Sequence, residues 1–548
     1  MSNSNSTPSV LCWQRWSGPL GLCLTFFMLS YTIGVVQPIM PPLVRGFDST
    51  VGYVQSALVL MSLVTASFTP TAENLSRRLG RKPAFTIALG LFALGLLVMI
   101  LSPNIGLFTV GLAALTGVAA AVLVSTPVAL MNALYPGDMA NKYAMVALTI
   151  AGVAGALVGS ISGGFMAYEL GWRWAFGLEL GLIPLIGLLV QSIDVPIPRQ
   201  ALPIDWVGGL LSVAGFGLTL VGLSLTAEFG WWQPKDNTRA IDIVVIPFQI
   251  SIAPVLMATG LIFIGLLLFW ERQRKQQGEA SLLRLGVFSR RIYILGLAIA
   301  TLQTIISVGV QFNLYQFIPA VVGLNSFRTS LAVMPLTIVQ LAILLLLVKR
   351  RPQFPPRSLL QMGIVVKAIG LAMLIVAVKP PVTPLGLLPA LMTLGAGTGL
   401  FGTYITSLTF ADTRDEDRVE ARGVYRPFQN LGASLGRGVL GTVLVVAAST
   451  KIVHSIIAEL GEAVTPEVSR QAIRSLQVSI QTLRRSERRA LFDQLPDSVQ
   501  PVLDTILQTA ATEAMQITLG LALGFCLLSL GLSFWLPKTV KKIEAPIE

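Results

Sequence analysis

Histidine occurs once in the 548 residues, cysteine three times, and Asp, Glu, Lys and Arg together make up only 12% of the chain. Each scarcity excludes a class of chemistry. The single histidine, His454, falls in a predicted loop, and a His-based triad or a zinc cluster is not expected. Cys12, Cys23 and Cys526 sit in or beside the first and last apolar runs, so neither a disulfide framework nor a Cys-rich metal site is expected. No Gly-x-x-x-x-Gly-Lys-Ser/Thr sequence is present, so energy from a bound nucleotide is not indicated. The expectation is a chain with no metal, no cofactor and no enzymatic activity. The Ser/Asn-rich stretch Met1–Val10 and the length of the first apolar run speak against a cleavable signal peptide.

What the chain has is apolar length. With 53% hydrophobic residues and a mean hydropathy of +0.73, it is too apolar for an ordinary soluble surface and reads as an all-α polytopic membrane protein. The formal charge of +12 could suggest nucleic acid, but Lys and Arg fall in short clusters between apolar runs, so no nucleic-acid partner is expected. The partner is the lipid bilayer.

Hydropathy predicts crossings over 18–44, 51–72, 83–101, 106–134, 143–168 and 174–191, about 20 or more apolar residues each. Past the Pro-rich break Ile193–Pro198, a seventh opens at Asp205 and an eighth covers 248–270. Six more follow over 292–315, 326–348, 358–378, 385–408, 423–449 and 515–536, giving about fourteen. The basic clusters around Arg77, Arg272, Arg350 and Lys541 then share one side, which places both termini in the cytoplasm. The division expected is a six-helix bundle over 1–196, a linker with two additional helices over 197–275, and a second six-helix bundle over 276–548 that includes an extracytoplasmic loop of about 450–514. Inside that loop, Thr465-Pro466-Glu467 starts a helix, and Ile473, Leu476, Ile480 and Leu483 give it one apolar face.

Short motifs then carry a resemblance. Glu73-Asn-Leu-Ser-Arg77-Arg78-Leu-Gly80-Arg81-Lys82 resembles the loop between helices 2 and 3 of the major facilitator superfamily, Gly-x-Leu-Ala-Asp-Arg-x-Gly-Arg-Lys/Arg, with Glu73 at its glycine and Arg77 at its aspartate. Gly155-x-x-x-Gly159-Ser160-x-x-Gly163-Gly164 resembles the glycine motif of that superfamily's exporters, with Ser160 at the proline. Trp172-Arg173-Trp174-Ala175-Phe176, Asp205-Trp206-x-Gly208 and Asn430-Leu431-Gly432 resemble the fourteen-helix drug/proton antiporters. Echoes between halves, such as Gly432-x-x-x-Gly436 in the thirteenth segment, fit the parallel repeat of this fold.

The resemblance implies a secondary transporter, an exporter of amphipathic or lipophilic small molecules that works by alternating access with protons as the coupling partner, acting as a monomer in the inner or plasma membrane. An uncoupled or differently coupled carrier of a lipid or organic anion, and a facilitator-fold sensor without transport, stay open beside it. It also implies roles. Glu73, Arg77, Arg78, Gly80, Arg81 and Lys82 form a cytoplasmic gate loop. Glu73 and Arg77 stand at the spacing of a helical ion pair, and the arginines are expected to face the acidic run Asp412, Asp415, Glu416, Asp417 and Glu420. Gly155, Gly159, Gly163 and Gly164 edge a groove at the contact between the bundles.

The departures matter too. The family's first-helix acid falls on Thr32 and its asparagine on Gln37, and its fourth-helix arginine on Ala113. Glu179, in the sixth segment, is the candidate to carry the proton instead. Gln37, Gln303, Ser307, Gln311 and Arg437 are the candidate lining of a substrate cavity. Arg437 shares a face with Arg426 and Asn430, and serves either a cavity or gating role or a structural pair. Lys367 is expected to snorkel or pack at a peripheral position.

Overall fold

In hydrocarbon a backbone can satisfy its polar groups only by bonding to itself, so long apolar runs become helices. The computed structural model describes residues 8–193, 206–229, 251–277, 290–349, 355–413, 431–460, 466–482 and 500–537, apart from 48, 50, 136, 137 and 434, together with 425, 428 and 429. Its elements are α1 (Pro8–Gly46), α2 (Val51–Leu79), α3 (Arg81–Leu101), α4 (Ile105–Leu134), α5 (Asp138–Glu169), α6 (Arg173–Gln191), α7 (Trp206–Phe229) and α8 (Ile252–Gln276). They continue with α9 (Arg291–Val321), α10 (Ser326–Lys349), α11 (Pro356–Ala377), α12 (Pro384–Thr409), α13 (Leu431–Glu459), α14 (Pro466–Thr482) and α15 (Leu503–Ser533).

Among the described residues twelve helices are long and apolar enough to cross a membrane. With α2 and α7, of 29 and 24 residues, they match the fourteen expected segments. One boundary differs. Helix reaches Leu460 on one side of the predicted long loop and resumes at Leu503 on the other. Hydropathy misses these ends because they carry Lys451, Asp504 and Glu513; the first and last of these pair at 2.7 Å. The amphipathic helix predicted within the loop is α14. Leu483, its last expected apolar position, lies outside the described residues.

The chain forms two compact units. One comprises Met1–Pro42, Ala57–Gly217 and Gly260–Leu282; the other comprises Leu43–Ser56, Leu218–Thr259 and Leu283–Glu548. Each has its own core. In the first, the Trp172–Phe176 motif is a clasp: Arg173 donates to the carbonyls of Ile100 and Ser102, both at 2.9 Å, which are free because α3 ends there. Its guanidinium also lies 4.3 Å from the Trp172 ring, and Trp172, Phe176 and Phe108 pack edge to face. In the second, buried Leu, Ile and Phe side chains of α9, α11, α12 and α15 form the core.

Glycines set the closest approaches, and they do so alike in both units. A Cβ on Gly155 would collide with the Phe27 carbonyl oxygen, and one on Gly159 would stand 2.5 Å from that of Tyr31. In the second unit, a Cβ on Gly432 would stand 2.8 Å from the Thr301 oxygen, and one on Gly436 2.5 Å from that of Ile305. Both helices thus lay a Gly-x-x-x-Gly edge on carbonyls four residues apart in the first helix of their half. The echo in the sequence is a repeated contact.

Candidate functional site

Five features carry the polar chemistry: one carboxylate in the first unit, a basic loop at its edge, a lysine and an arginine in the second unit, and the glycine seams beside them.

α1 presents Tyr31 and Thr32 to α6. Tyr31 donates to the Ala175 carbonyl at 3.2 Å and accepts from Ser162 of α5 at 3.0 Å. One turn beyond Ala175, Glu179 is fully buried and shares a short hydrogen bond with the Thr32 hydroxyl. Its Oε2 has no hydrogen-bond partner among the described residues. Thr32 Oγ1 also lies 3.2 Å from the Met28 carbonyl. A threonine has one proton to give. When Glu179 is a carboxylate, Thr32 must point its proton at the acid. When Glu179 is protonated, the acid donates to Thr32 and Thr32 donates on to Met28. One geometry therefore accepts either state by reversing the Thr32–Glu179 bond and making or releasing the one to Met28.

Glu73 is the hub of the basic loop. Glu73 accepts from Arg77 Nε at 3.2 Å and from both terminal nitrogens of Arg81, at 2.6 and 2.8 Å. Arg81 also donates to Ser76 at 3.0 Å. Burial opposes ionisation of Glu73, but the hydrogen bond and charge of Arg81, with Arg77 behind them, hold its carboxyl below the ordinary value. Gly80 turns the chain at φ +99°, a conformation that L side chains rarely adopt. Lys82 donates to the carbonyls of Gln191 and Ile193 at 2.7 and 3.1 Å, at the end of α6. Arg78 is exposed. Arg77 and Arg81 direct donors to Glu73, the residue at the signature's glycine position. Of the acidic run, Asp412 accepts from Arg290 through its carbonyl at 2.8 Å, and Asp415–Glu420 lie outside the described residues.

Gly155 and Gly159 receive the α1 backbone of the same unit at Phe27 and Tyr31, a Cβ on Gly163 would stand 3.1 Å from Val35, and Gly164 is buried.

In the second unit, Lys367 is 2% exposed and does not snorkel. Its ammonium donates to the Gln303 side-chain oxygen at 2.9 Å, the Gln303 carbonyl at 3.3 Å and the Ser307 hydroxyl at 2.6 Å. The Gln303 amide donates to Ser529 at 2.6 Å. A Lys at mid-membrane costs at least about 2.5–3.5 kcal/mol, and hydrogen bonds to a charged group give back about 1.5–3 kcal/mol each. Three neutral acceptors thus hold the cation. Gln303 and Ser307, expected to line a cavity, meet Lys367. The signal was their polar stripe, and the sequence could not show that a lysine 64 and 60 residues away would meet it.

Arg437 sits in a π-turn, Gly436–Leu440, and is 6% exposed. Its Nε and Nη1 are buried without a hydrogen-bond partner among the described residues. Asn313 of α9 pins this turn, donating to the Leu440 carbonyl at 3.0 Å while its own Oδ1 is left unpartnered. Arg426 and Asn430 lie outside the described residues. Gln311 is half-buried on α9, and Gln37 of α1 has a buried, unpartnered Oε1. Among the described residues no group of His, Cys, Asp and Glu could hold a metal.

Comparison with known proteins agrees with this architecture. The chain is 23% identical to the multidrug efflux pump LfrA of Mycolicibacterium smegmatis, over 92% of this chain and 94% of that one. It is 24% identical to the multidrug resistance protein Stp of Mycobacterium tuberculosis, over 78% of this chain and 76% of that one. The crystal structure of a bacterial homologue of the human lysosomal transporter Spinster superposes with a TM-score of 0.57 at 13% identity, over 97% of this chain and 98% of that one, a likeness of fold. Residues 22–436 match the Major Facilitator Superfamily. An all-helical membrane chain whose two halves repeat the same glycine seam, and whose length is matched in this way, belongs to the Major Facilitator Superfamily and is a transporter rather than an enzyme.

Proposed function

We propose that this transporter exports amphipathic small molecules by alternating access in exchange for protons, and that Glu179 carries the proton. The observation that supports it most is the meeting of Glu179 with Thr32. Thr32 occupies the position of the acid in the first helix of the drug/proton antiporters, so a carboxylate reaching it from α6 supplies from one helix what the other lacks. The pair accepts both protonation states without rebuilding its surroundings, as a proton carrier must. Efflux is supported by the relatives named multidrug efflux and resistance proteins. The reading includes a monomer in the inner or plasma membrane with both termini cytoplasmic, as the basic clusters favour.

The test is a proton-flux measurement in vesicles holding the purified protein and an imposed pH gradient, with ethidium and naphthalene-2-sulfonate as probes. Collapse of the gradient on probe addition, lost in Glu179→Gln, is the expected result. Probe movement without a pH change would replace proton antiport by an uncoupled or differently coupled carrier. Binding without flux would leave a sensor.

A further inference from the structure

We infer that Arg437 is the anion-binding group of the second unit, and that it takes the negative head of an amphipathic molecule. The inference deepens the transport reading by naming a ligand class. It depends on that reading only for the ligand being cargo.

The chemistry begins with an imbalance. Lys367, in the same unit, shows how this protein treats a buried cation it keeps for structure: three acceptors are brought to it. Arg437 is as deeply placed, yet Nε and Nη1 have no acceptor among the described residues. A guanidinium cannot shed its charge in a protein, and an unpaired buried charge is costly enough that a fold retains it only for a purpose.

The local backbone holds the arginine in this place. On one flank Gly436 is pressed against α9, its carbonyl oxygen 2.5 Å from where a Cβ on Gly309 would stand. On the other flank a Cβ on Gly438 would meet nothing within 4 Å, so the turn opens there. The Asn313 amide fixes the end of the turn at Leu440 and leaves an acceptor, Oδ1, with no partner. Glycines on both sides keep bulk away from the guanidinium. By the register of the repeated seams, Arg437 stands where the first unit has Ser160, so the charge belongs to one half alone.

The walls select the rest of the ligand. The glycine face of the turn, Gly436 with Gly441 just beyond it, packs on Ile305, Gly309 and Phe312 of α9, an apolar surface next to the turn that carries Arg437. A small hydrated anion gains little there, whereas a carboxylate, sulfonate or phosphate carried on an apolar body satisfies both parts. Such a head can come from a soluble amphipath or from a lipid.

Thermal melting of the purified full chain in an uncharged maltoside detergent tests this directly, because a ligand that binds the folded state raises the melting temperature. The probes are naphthalene-2-sulfonate, its neutral counterpart naphthalene-2-sulfonamide, and phosphatidylglycerol. Stabilisation by the sulfonate but not the sulfonamide is expected, with the half-saturating concentration raised about thirtyfold or more in Arg437→Gln, the size expected when one side of a buried charge pair is removed. Arg437→Lys should fall between. Stabilisation by phosphatidylglycerol alone, lost in Arg437→Gln, supports the site and assigns the head to lipid. Equal stabilisation by the sulfonamide, no stabilisation by either anion, or an unchanged response in Arg437→Gln overturns it. Without ligand, Arg437→Gln should melt at or above the wild type, since it removes an unpartnered charge; melting well below it would make Arg437 a structural pair and also overturn the site. None of these readouts involves protons, so a failure here is distinct from a failure of proton antiport.

Discussion

Thr32 and Glu179, 147 residues apart in the chain, share a short hydrogen bond in the buried interior of the first unit. The acid belongs to α6 and the hydroxyl to α1, so the position of the carboxyl is a property of the helix pair.

That gives a swap experiment. Glu179→Gln should abolish probe-driven collapse of a pH gradient in vesicles while the protein still inserts and purifies. Thr32→Asp added to Glu179→Gln should restore part of it, because the carboxyl returns to the same place from the other helix. Restoration by Thr32→Asn instead would show that polarity, and not a proton, is what the site requires.

The glycine seams predict matched damage. Gly159→Val and Gly436→Val each drive a side chain into a backbone oxygen 2.5 Å from the new Cβ. Overpacking of this kind costs about 1–3 kcal/mol or more, so both should lower the melting temperature of purified protein. Gly438→Ala, with nothing within 4 Å of its new Cβ, should leave it unchanged.

For the lysine network a double-mutant cycle is informative. Gln303→Leu removes one of the three acceptors of the Lys367 ammonium, leaving the Gln303 carbonyl and Ser307, and should destabilise by about 1.5–3 kcal/mol. Lys367→Met combined with Gln303→Leu should recover much of that loss, with a coupling of about 1–3 kcal/mol read from melting. Simple additivity would mean that the two side chains do not act together.

Glu73 predicts an acid limb. Its carboxyl is held below the ordinary value of 4.5, so the Arg81 and Arg77 bonds stabilise the fold fully above that pH. The contribution is lost as pH falls through the lower folded-state value, where the acid protonates. Stability against pH, measured in detergent, should therefore fall less steeply below pH 4.5 in Glu73→Gln than in the wild type.

Much of this is legible in the sequence where the information is local. The spacing of Gly155 and Gly159, and of Gly432 and Gly436, is itself a helix edge, so the repeat of the halves can be read from it. What those edges touch cannot, because α1 and α9 lie more than a hundred residues away from them and advertise nothing but carbonyls. The Glu73–Arg77 pair is readable from a four-residue step, whereas the stronger grip of Arg81 depends on how Gly80 turns the chain. Gln303 and Ser307 show their polarity in sequence, but which way it points is decided by where Lys367 arrives. Glu179 could be singled out as an acid in an apolar run, while its partner Thr32 was visible only as a departure.

The Lys82 contact has a mechanical side. By gripping the carbonyls of Gln191 and Ile193, the side chain fastens the turn after α2 to the tail of α6. Glu179 lies on that same rod, roughly 18 Å up its axis at 1.5 Å per residue. Pro184 stands between them and removes one rung of the helix ladder. The Lys82 grip therefore anchors the tail of α6 up to a built-in joint, and the loop and the Glu179–Thr32 pair lie on either side of it.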